Sequence, residues 1–268
     1  MPWAFTVWNK SSFSKNDYEL LMKSGYSVAE ISLDYPWPFS VDFKNTVKQI
    51  TELGLRIAFH APWRDISLAS PYMDISRGSL EALKKVIDEV ADIRAEYMVF
   101  HIQTREEVKL DSEYFSQVKE VVAELNDYAR SKGIRAVLEN TFSGVSESPE
   151  SFAELLKYTG AGACLDIGRL LPRESQQYFS LEQIEKWIRT ISNKIEVLHL
   201  HSLGRRKGKV TEHFSFLGNE NLFSTIVKRT FTFNPNLVVT LEVFYTHAGN
   251  DVTASYLAEM LTKFLSLF

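Results

Sequence analysis

Helix, glycine, short apolar strand: this order recurs along the chain and leaves few folds open to it. Lys15 to Ser24 reads as a helix stopped by Gly25, before the strand Val28-Ala29-Glu30-Ile31-Ser32-Leu33. Val41 to Leu53 repeats the pattern through Gly54 into Leu55-Arg56-Ile57-Ala58-Phe59-His60. Asp111 to Lys132 runs through Gly133 into Ile134-Arg135-Ala136-Val137-Leu138-Glu139, and Pro149 to Thr159 runs through Gly160 into Ala163-Cys164-Leu165-Asp166. Glycine suits the end of a helix because it enters the left-handed region without a Cβ penalty. Ser148-Pro149 supplies an N-cap with a first-turn proline, and Ser180-Leu181-Glu182-Gln183 matches a capping box.

Three further strands, Tyr97 to His101, Ile195 to His201 and Leu237 to Val243, join Phe5 to Trp8 to make eight, each followed by a helical stretch. At roughly 33 residues per unit, the series has the size of a βα repeat. Hydrophobic residues make up 45% of the 268, enough for one large core. No linker or composition break interrupts the series, so the expected fold is a single (β/α)₈ TIM barrel, one α/β domain spanning 1–268. A doubly wound sheet would carry a glycine-rich phosphate turn after its first strand, and the turn after Trp8 has no glycine. Gly160, Gly162 and Gly168 lead into a strand and read as a tight turn.

One cysteine, Cys164, excludes an intrachain disulfide and a cysteine-clustered zinc site. It suits a reducing cytosol, and a cytoplasmic protein is expected. The start of the chain lacks the basic and apolar regions of a signal peptide, and Tyr256 to Phe268 reads as an amphipathic closing helix, too short and charged for a membrane span. The net charge of -4 disfavours broad nonspecific nucleic-acid binding.

In such a barrel the site lies at the C-terminal ends of the strands. Those ends are His60, His101, Glu139, Asp166, His199 and Glu242, from strands three to eight in order. One histidine after an apolar run is ordinarily a hydrogen-bonded residue of the barrel mouth; six consecutive strands behaving alike point to chemistry. Glu139, Asp166 and Glu242 would converge in a partly desolvated cleft, and no lysine ends these strands to neutralise them. Carboxylates so placed repel unless a cation compensates. Oxygen and nitrogen ligands without thiolate suit Mn²⁺, Mg²⁺, Co²⁺ or Zn²⁺. His60 and His101 either bind a second ion, bridged by Glu139, or hydrogen-bond substrate.

The segment His60-Ala61-Pro62 with Ala69-Ser70, followed by Val99-Phe100-His101, Glu139-Asn140-Thr141, Leu165-Asp166-Ile167-Gly168, His199-Leu200-His201, Glu212-His213, Leu217-Gly218 and Leu241-Glu242, resembles the xylose-isomerase-like barrels along essentially the whole chain. That superfamily includes sugar isomerases, sugar epimerases and the endonuclease IV type of apurinic endonuclease. The resemblance implies Glu139, Asp166, His199 and Glu242 as ligands of one shared metal. In the epimerases it makes Glu139 and Glu242 a proton-transfer pair acting through a metal-stabilised enediolate. In the nucleases it makes His60 and His101 ligands of a further zinc ion bridged by Glu139.

The sequence departs from both branches three residues after Asp166, where the family carries histidine and this chain carries Arg169. Arginine cannot bind a cation, which argues against the third metal of the nuclease, as does Thr211-Glu212-His213 in place of an Asp-x-His motif. Arg169 can hold a phosphate or carboxylate bidentately. The expectation is therefore a sugar or sugar-phosphate isomerase or epimerase with one or two divalent ions and a small sugar-like substrate contacted by Arg169, His201, His213, Trp63 and Trp8. The alternatives are a metal-dependent phosphodiesterase acting on DNA and a non-catalytic ligand-binding barrel. Trp8, Trp37 and Trp63 near the ends of strands one to three offer flat faces to a sugar ring or simply pack loops. The basic run Gly204 to Lys209 reads as a phosphate-capturing or solvated loop.

Overall fold

A computed structural model describes residues 1–104, 108–141, 144–146, 148–171 and 181–268. Strands β1 (Trp3–Val7), β2 (Val28–Ser32), β3 (Arg56–His60), β4 (Ala95–His101), β5 (Ala136–Glu139), β6 (Gly162–Asp166) and β7 (Ile195–Leu200) are parallel. A hairpin, β8 (Ser202–Arg206) and β9 (Lys209–Phe214), precedes the last barrel strand, β10 (Val238–Leu241). β10 pairs with both β7 and β1, which closes the barrel. The basic run expected as a loop is thus the tip of an antiparallel hairpin, because Gly208 takes the left-handed turn that joins its strands.

The outer layer consists of α1 (Lys15–Lys23), α2 (Val41–Glu52), α3 (Met73–Val90), α4 (Ser112–Ser131), α5 (Pro149–Thr159), α6 (Leu181–Thr190), α7 (Glu220–Phe231) and α8 (Ala254–Leu265). Local sequence sets their ends. Ser14 and Asp17 form a reciprocal capping box, Ser148 caps α5 with Pro149 behind it, and Gly160 closes that helix at φ 73°. The capping box expected at Ser180 begins outside the described residues. None of the described helices is long and apolar enough to cross a membrane.

Successive side chains of a strand point to opposite faces, so residues two apart share one. The outward faces pack Phe5, Ile31, Phe59, Phe100, Leu138, Leu165, Leu198 and Leu241 against the helices. Ala4, Val28, Val99, Val137, Cys164, Val197 and Val238 fill the barrel interior, with Cys164 as packing. One step of two further along, the inward positions become polar: Glu30, His101, Glu139, Asp166, His199 and Thr240, all buried. The same alternation that builds the core therefore delivers the polar ring.

Candidate active site

His60 and His101 end β3 and β4, and both face Glu139 at the end of β5. The Nε2 atoms of the histidines lie 3.2 Å apart, and each lies near Glu139 Oε2, at 3.3 Å for His60 and 3.0 Å for His101. His60 Nδ1 is 2.9 Å from the carbonyl of Ala61. A carbonyl only accepts, so Nδ1 carries hydrogen and Nε2 is the atom turned to Glu139. Two imidazole nitrogens and a carboxylate oxygen this close repel unless a proton or a metal ion lies among them. Burial pulls the His60 pKa down, but the hydrogen bond and charge of Glu139 outweigh it and raise the value to about 9. A proton thus holds this cluster at neutral pH, and a divalent ion can take its place.

His199 sits between two carboxylates. Its Nε2 is 3.1 Å from Glu30 Oε1 and its Nδ1 is 3.1 Å from Glu242 Oε2, with Glu139 Oε2 at 3.8 Å. Burial opposes the charged imidazole, yet Glu30 and Glu242 on its two ring edges hold its pKa well above the ordinary value. Glu30 also accepts hydrogen bonds from Tyr97 Oη at 2.7 Å and Thr240 Oγ1 at 3.1 Å. Sequence reasoning passed over Glu30, because it lies in the middle of β2 and not at its end. Its signal was there: a charged residue amid the apolar run of a buried strand needs a partner.

Asp166 is held on its other flank. His201 Nε2 lies 3.0 Å from Oδ1, Arg169 donates its backbone N–H to the same oxygen at 3.2 Å, and Arg169 Nε donates to Oδ2 at 2.9 Å. Arg169 Nε is also 2.9 Å from Glu139 Oε1. No lysine ends the strands, as the sequence shows, but Arg169, expected as a substrate contact, lies against two of the carboxylates from the turn after β6. Burial costs the charged forms of Glu139 and Asp166, but His101 and Arg169 beside Glu139, and His201 and Arg169 beside Asp166, hold both below the usual carboxylate range. Asn140 locks the two strand ends together, donating to the Asp166 carbonyl at 3.1 Å and accepting its N–H at 2.7 Å.

Gly168 makes this flank possible. A Cβ there would lie 1.9 Å from His201 Cε1, so the imidazole occupies the space a side chain would fill. His201 is fully buried behind Asp166 and takes no part in the cavity wall, unlike its expected role as a substrate contact. His213 does line the cavity, in the left-handed region at φ 64°, with burial lowering its pKa to about 4.

The cavity at the mouth has a volume of about 400 Å³. Trp8, Trp63 and Arg169 line it as expected, together with Asp34, Arg64 and Glu242. Arg64 pairs with Asp34, stacks over Trp63 at 4.7 Å and lies 5.3 Å from the Trp8 ring, while Trp8 Nε1 donates to Asp34 Oδ2 at 3.0 Å. Trp37 packs against Phe43 in the core at 5.8 Å, the packing alternative of the two that the sequence left open.

Among the described residues, three sets without a thiol offer ligand atoms close enough for one ion: His60, His101 and Glu139; Asp166, His199 and Glu242; and His201, His213 and Glu242. The third shares Glu242 with the second, and its His201 already faces Asp166. His199 Nδ1, Glu242 Oε2 and His213 Nδ1 are buried without a hydrogen-bond partner. Buried polar atoms are ordinarily satisfied, so lone pairs left over in this place suit a cation. The donors therefore fit a divalent ion. Glu139, Cys164 and His199 also lie together, but burial pushes the Cys164 thiol up, and a neutral thiol is a poor ligand.

The fold is an α/β barrel whose mouth gathers carboxylates and imidazoles close enough to hold a metal ion. Residues 18–263 match the model of the family described as xylose isomerase-like TIM barrel, and the chain belongs to that family. None of the curated proteins matches it. Among solved structures it is similar to an L-ribulose 3-epimerase, with a TM-score of 0.74 and 18% identity over 100% of this chain and 94% of that one. It is similar to a Thermus thermophilus protein soaked with ZnCl₂, with a TM-score of 0.68 and 18% identity over 100% and 99% of the two chains. It is also similar to SacUVDE, with a TM-score of 0.64 and 17% identity over 100% and 99%. At such identities the likeness is one of fold.

Proposed function

We propose that this protein is a divalent-metal-dependent isomerase or epimerase of a sugar or sugar phosphate. The observation that carries the reading is the approach of two carboxylates from different strands to one imidazole nitrogen: His199 Nδ1 has Glu242 Oε2 at 3.1 Å and Glu139 Oε2 at 3.8 Å. Glu139, Asp166, His199 and Glu242 would hold the ion, and His60 and His101 with Glu139 a second one. Bound there, the ion supplies positive charge to oxygens of the substrate during proton transfer at carbon. The epimerase among the structural relatives, and the relative soaked with zinc, support both halves of the reading.

The two carboxylates are suited to different tasks. Glu242 lies on the cavity wall and its pKa is lowered, with burial outweighed by His213 and His199, so it is an ionised base within reach of a ligand. Glu139 approaches the same imidazole from another strand and, where no second ion is bound, shares a proton with His60; once Arg169 moves off it, it would be the group to return a proton to the opposite side of a carbon atom. Base on one strand and acid on another is the arrangement that moves a proton across a planar intermediate. Trp8 and Trp63 line the cavity with Arg64 over both rings, so a sugar ring would stack on them in place of that guanidinium. Arg169, and Arg64 beside Asp34, supply guanidinium groups for phosphate or carboxylate. The test is solvent deuterium incorporation into a panel of ketoses and sugar phosphates with Mn²⁺ or Co²⁺. Exchange with at least one substrate, lost in Glu139→Ala and Glu242→Ala, is expected; no exchange with any would sink the reading.

A second reading, metal-dependent phosphodiester hydrolysis, draws on the His60–His101–Glu139 cluster, whose ligand atoms lie within 3.3 Å of one another. Nicking of a duplex with an abasic site, abolished in Glu139→Ala, would favour it. A ligand-binding barrel without catalysis would retain neither ion nor activity.

A further inference from the structure

Resting on the metal-dependent reading, we propose that Arg169 is the chain's own cation at this centre: it competes with a divalent ion for Glu139 and Asp166, and it is released to an anionic group of the substrate when the ion binds. Three observations lead there. First, Arg169 Nε sits 2.9 Å from Glu139 Oε1 and 2.9 Å from Asp166 Oδ2, on oxygens of two carboxylates assigned to the metal. Second, Glu139, Asp166 and His199 are fully buried and contribute nothing to the cavity wall, whereas Arg169 does; of the four metal-assigned residues, only Glu242 meets the cavity directly. The guanidinium is a roof over two of the ligands. Third, His199 Nδ1 and Glu242 Oε2, 3.1 Å apart, are buried without a hydrogen-bond partner, with Glu139 Oε2 3.8 Å from the same nitrogen. One delocalised charge therefore balances part of the set and leaves lone pairs that it cannot reach.

A divalent ion seated among these donors would face the guanidinium at short range in a site with little water to screen the two charges. Like charges so placed cannot both keep Glu139 and Asp166, and the longer, flexible partner is the side chain. The cavity is the open direction for it, and a planar fork of N–H groups matches phosphate or carboxylate oxygens bidentately. Ion and anion then help each other. An anion that engages Arg169 frees the carboxylates for the ion, and by linkage the ion strengthens anion binding by the same factor. The substrate class favoured is accordingly a sugar that carries a phosphate or a carboxylate.

The experiment is titration of Mn²⁺ into the purified full chain, with and without inorganic phosphate, for the wild type, Arg169→Gln and Arg169→Lys. Binding is read by calorimetry and by the electron paramagnetic resonance of free Mn²⁺. Arg169→Gln is expected to bind Mn²⁺ at least about tenfold more tightly than the wild type, a difference of about 1.4 kcal/mol. Arg169→Lys, which keeps the charge, should stay near the wild type. Phosphate should tighten Mn²⁺ binding several-fold in the wild type and leave Arg169→Gln unchanged. Equal or weaker Mn²⁺ binding by a folded Arg169→Gln overturns the proposal, because Arg169 would then be supporting the ligands. So does a wild type whose Mn²⁺ affinity ignores phosphate, a result that needs no variant to fold. Failure of deuterium exchange alongside tighter binding by Arg169→Gln sinks the isomerase reading and leaves this inference standing. Exchange with unaltered affinities does the reverse, and no Mn²⁺ binding by any of the three proteins overturns both.

Discussion

The two flanks of the barrel mouth solve the same electrostatic problem by different means. On the β3–β4 side, His60 and His101 meet Glu139 through nitrogens 3.0 to 3.3 Å from its Oε2, and a proton holds them together. On the β6 side, Asp166 is held by Arg169 and His201, and the guanidinium keeps its charge at any pH the protein survives. Glu139 belongs to both flanks, one oxygen on each. One flank is thus tunable by protons or metal, the other largely fixed by the chain itself.

The most severe way to break this comparison is Glu139→Gln, which removes the shared charge. Catalysed deuterium exchange should fall by about a thousandfold, within the range of a lost acid–base group, and residual exchange above about a tenth of wild type would contradict the shared role. The proton-held flank is tested by pH. Because the His60 pKa is raised to about 9, its stabilisation is complete below about 6.5 and is lost as pH rises through about 9. In chelator-treated protein this flank should lose about 3 kcal/mol across that window, seen as a falling melting temperature. His60→Asn should flatten much of that slope. An unchanged slope would show that the proton lies elsewhere.

Glu30→Gln sharpens the comparison from below. It leaves both flanks in place but weakens the anion that fixes His199, so Mn²⁺ affinity should drop by about 10- to 100-fold, as for other outer partners of metal ligands. An affinity within about twofold of wild type would make Glu30 a mere packing group. Gly168→Ala presses on the fixed flank by forcing a methyl into the His201 ring. A cost of about 1–3 kcal/mol in chemical denaturation is expected, the range of overpacking. The smallest effect belongs to Arg206→Ala on the hairpin, whose ion pair with Asp251 is exposed; a stability change within about 0.5 kcal/mol is expected.

Much of this was legible from residue order alone. Glycine-punctuated repeats announce eight strands, and the alternation along each strand puts the last inward residue at the mouth. For His60, His101, Glu139, Asp166, His199 and Glu242 that rule suffices. It fails where position depends on neighbours and not on period. Glu30 reaches His199 across the barrel, a contact between residues 169 positions apart. His201 looks like a ligand contact in a His-Leu-His run, yet it turns behind Asp166 because Gly168 leaves room. Arg169 was legible as a departure from the family, and its place against the carboxylates was not, since a short turn after β6 folds it back. The basic hairpin was legible as charge but not as structure.

The rim around the cavity is fastened unevenly. The hairpin β8–β9 is sewn to the segment after β10: Phe244 and Tyr245 donate their N–H groups to the His213 carbonyl at 2.8 and 3.0 Å, and Ser215 donates to the Tyr245 carbonyl at 2.8 Å. Across the cavity, Trp8, Trp63 and Arg64 rest on stacked faces and on the carboxylate of Asp34. A main-chain seam yields far less readily than a stack of side chains. The rim is thus held by main-chain hydrogen bonds at the hairpin and by side chains alone over the first three strands, with Trp8 stacked on Phe244 at 5.6 Å as the link between the two sides.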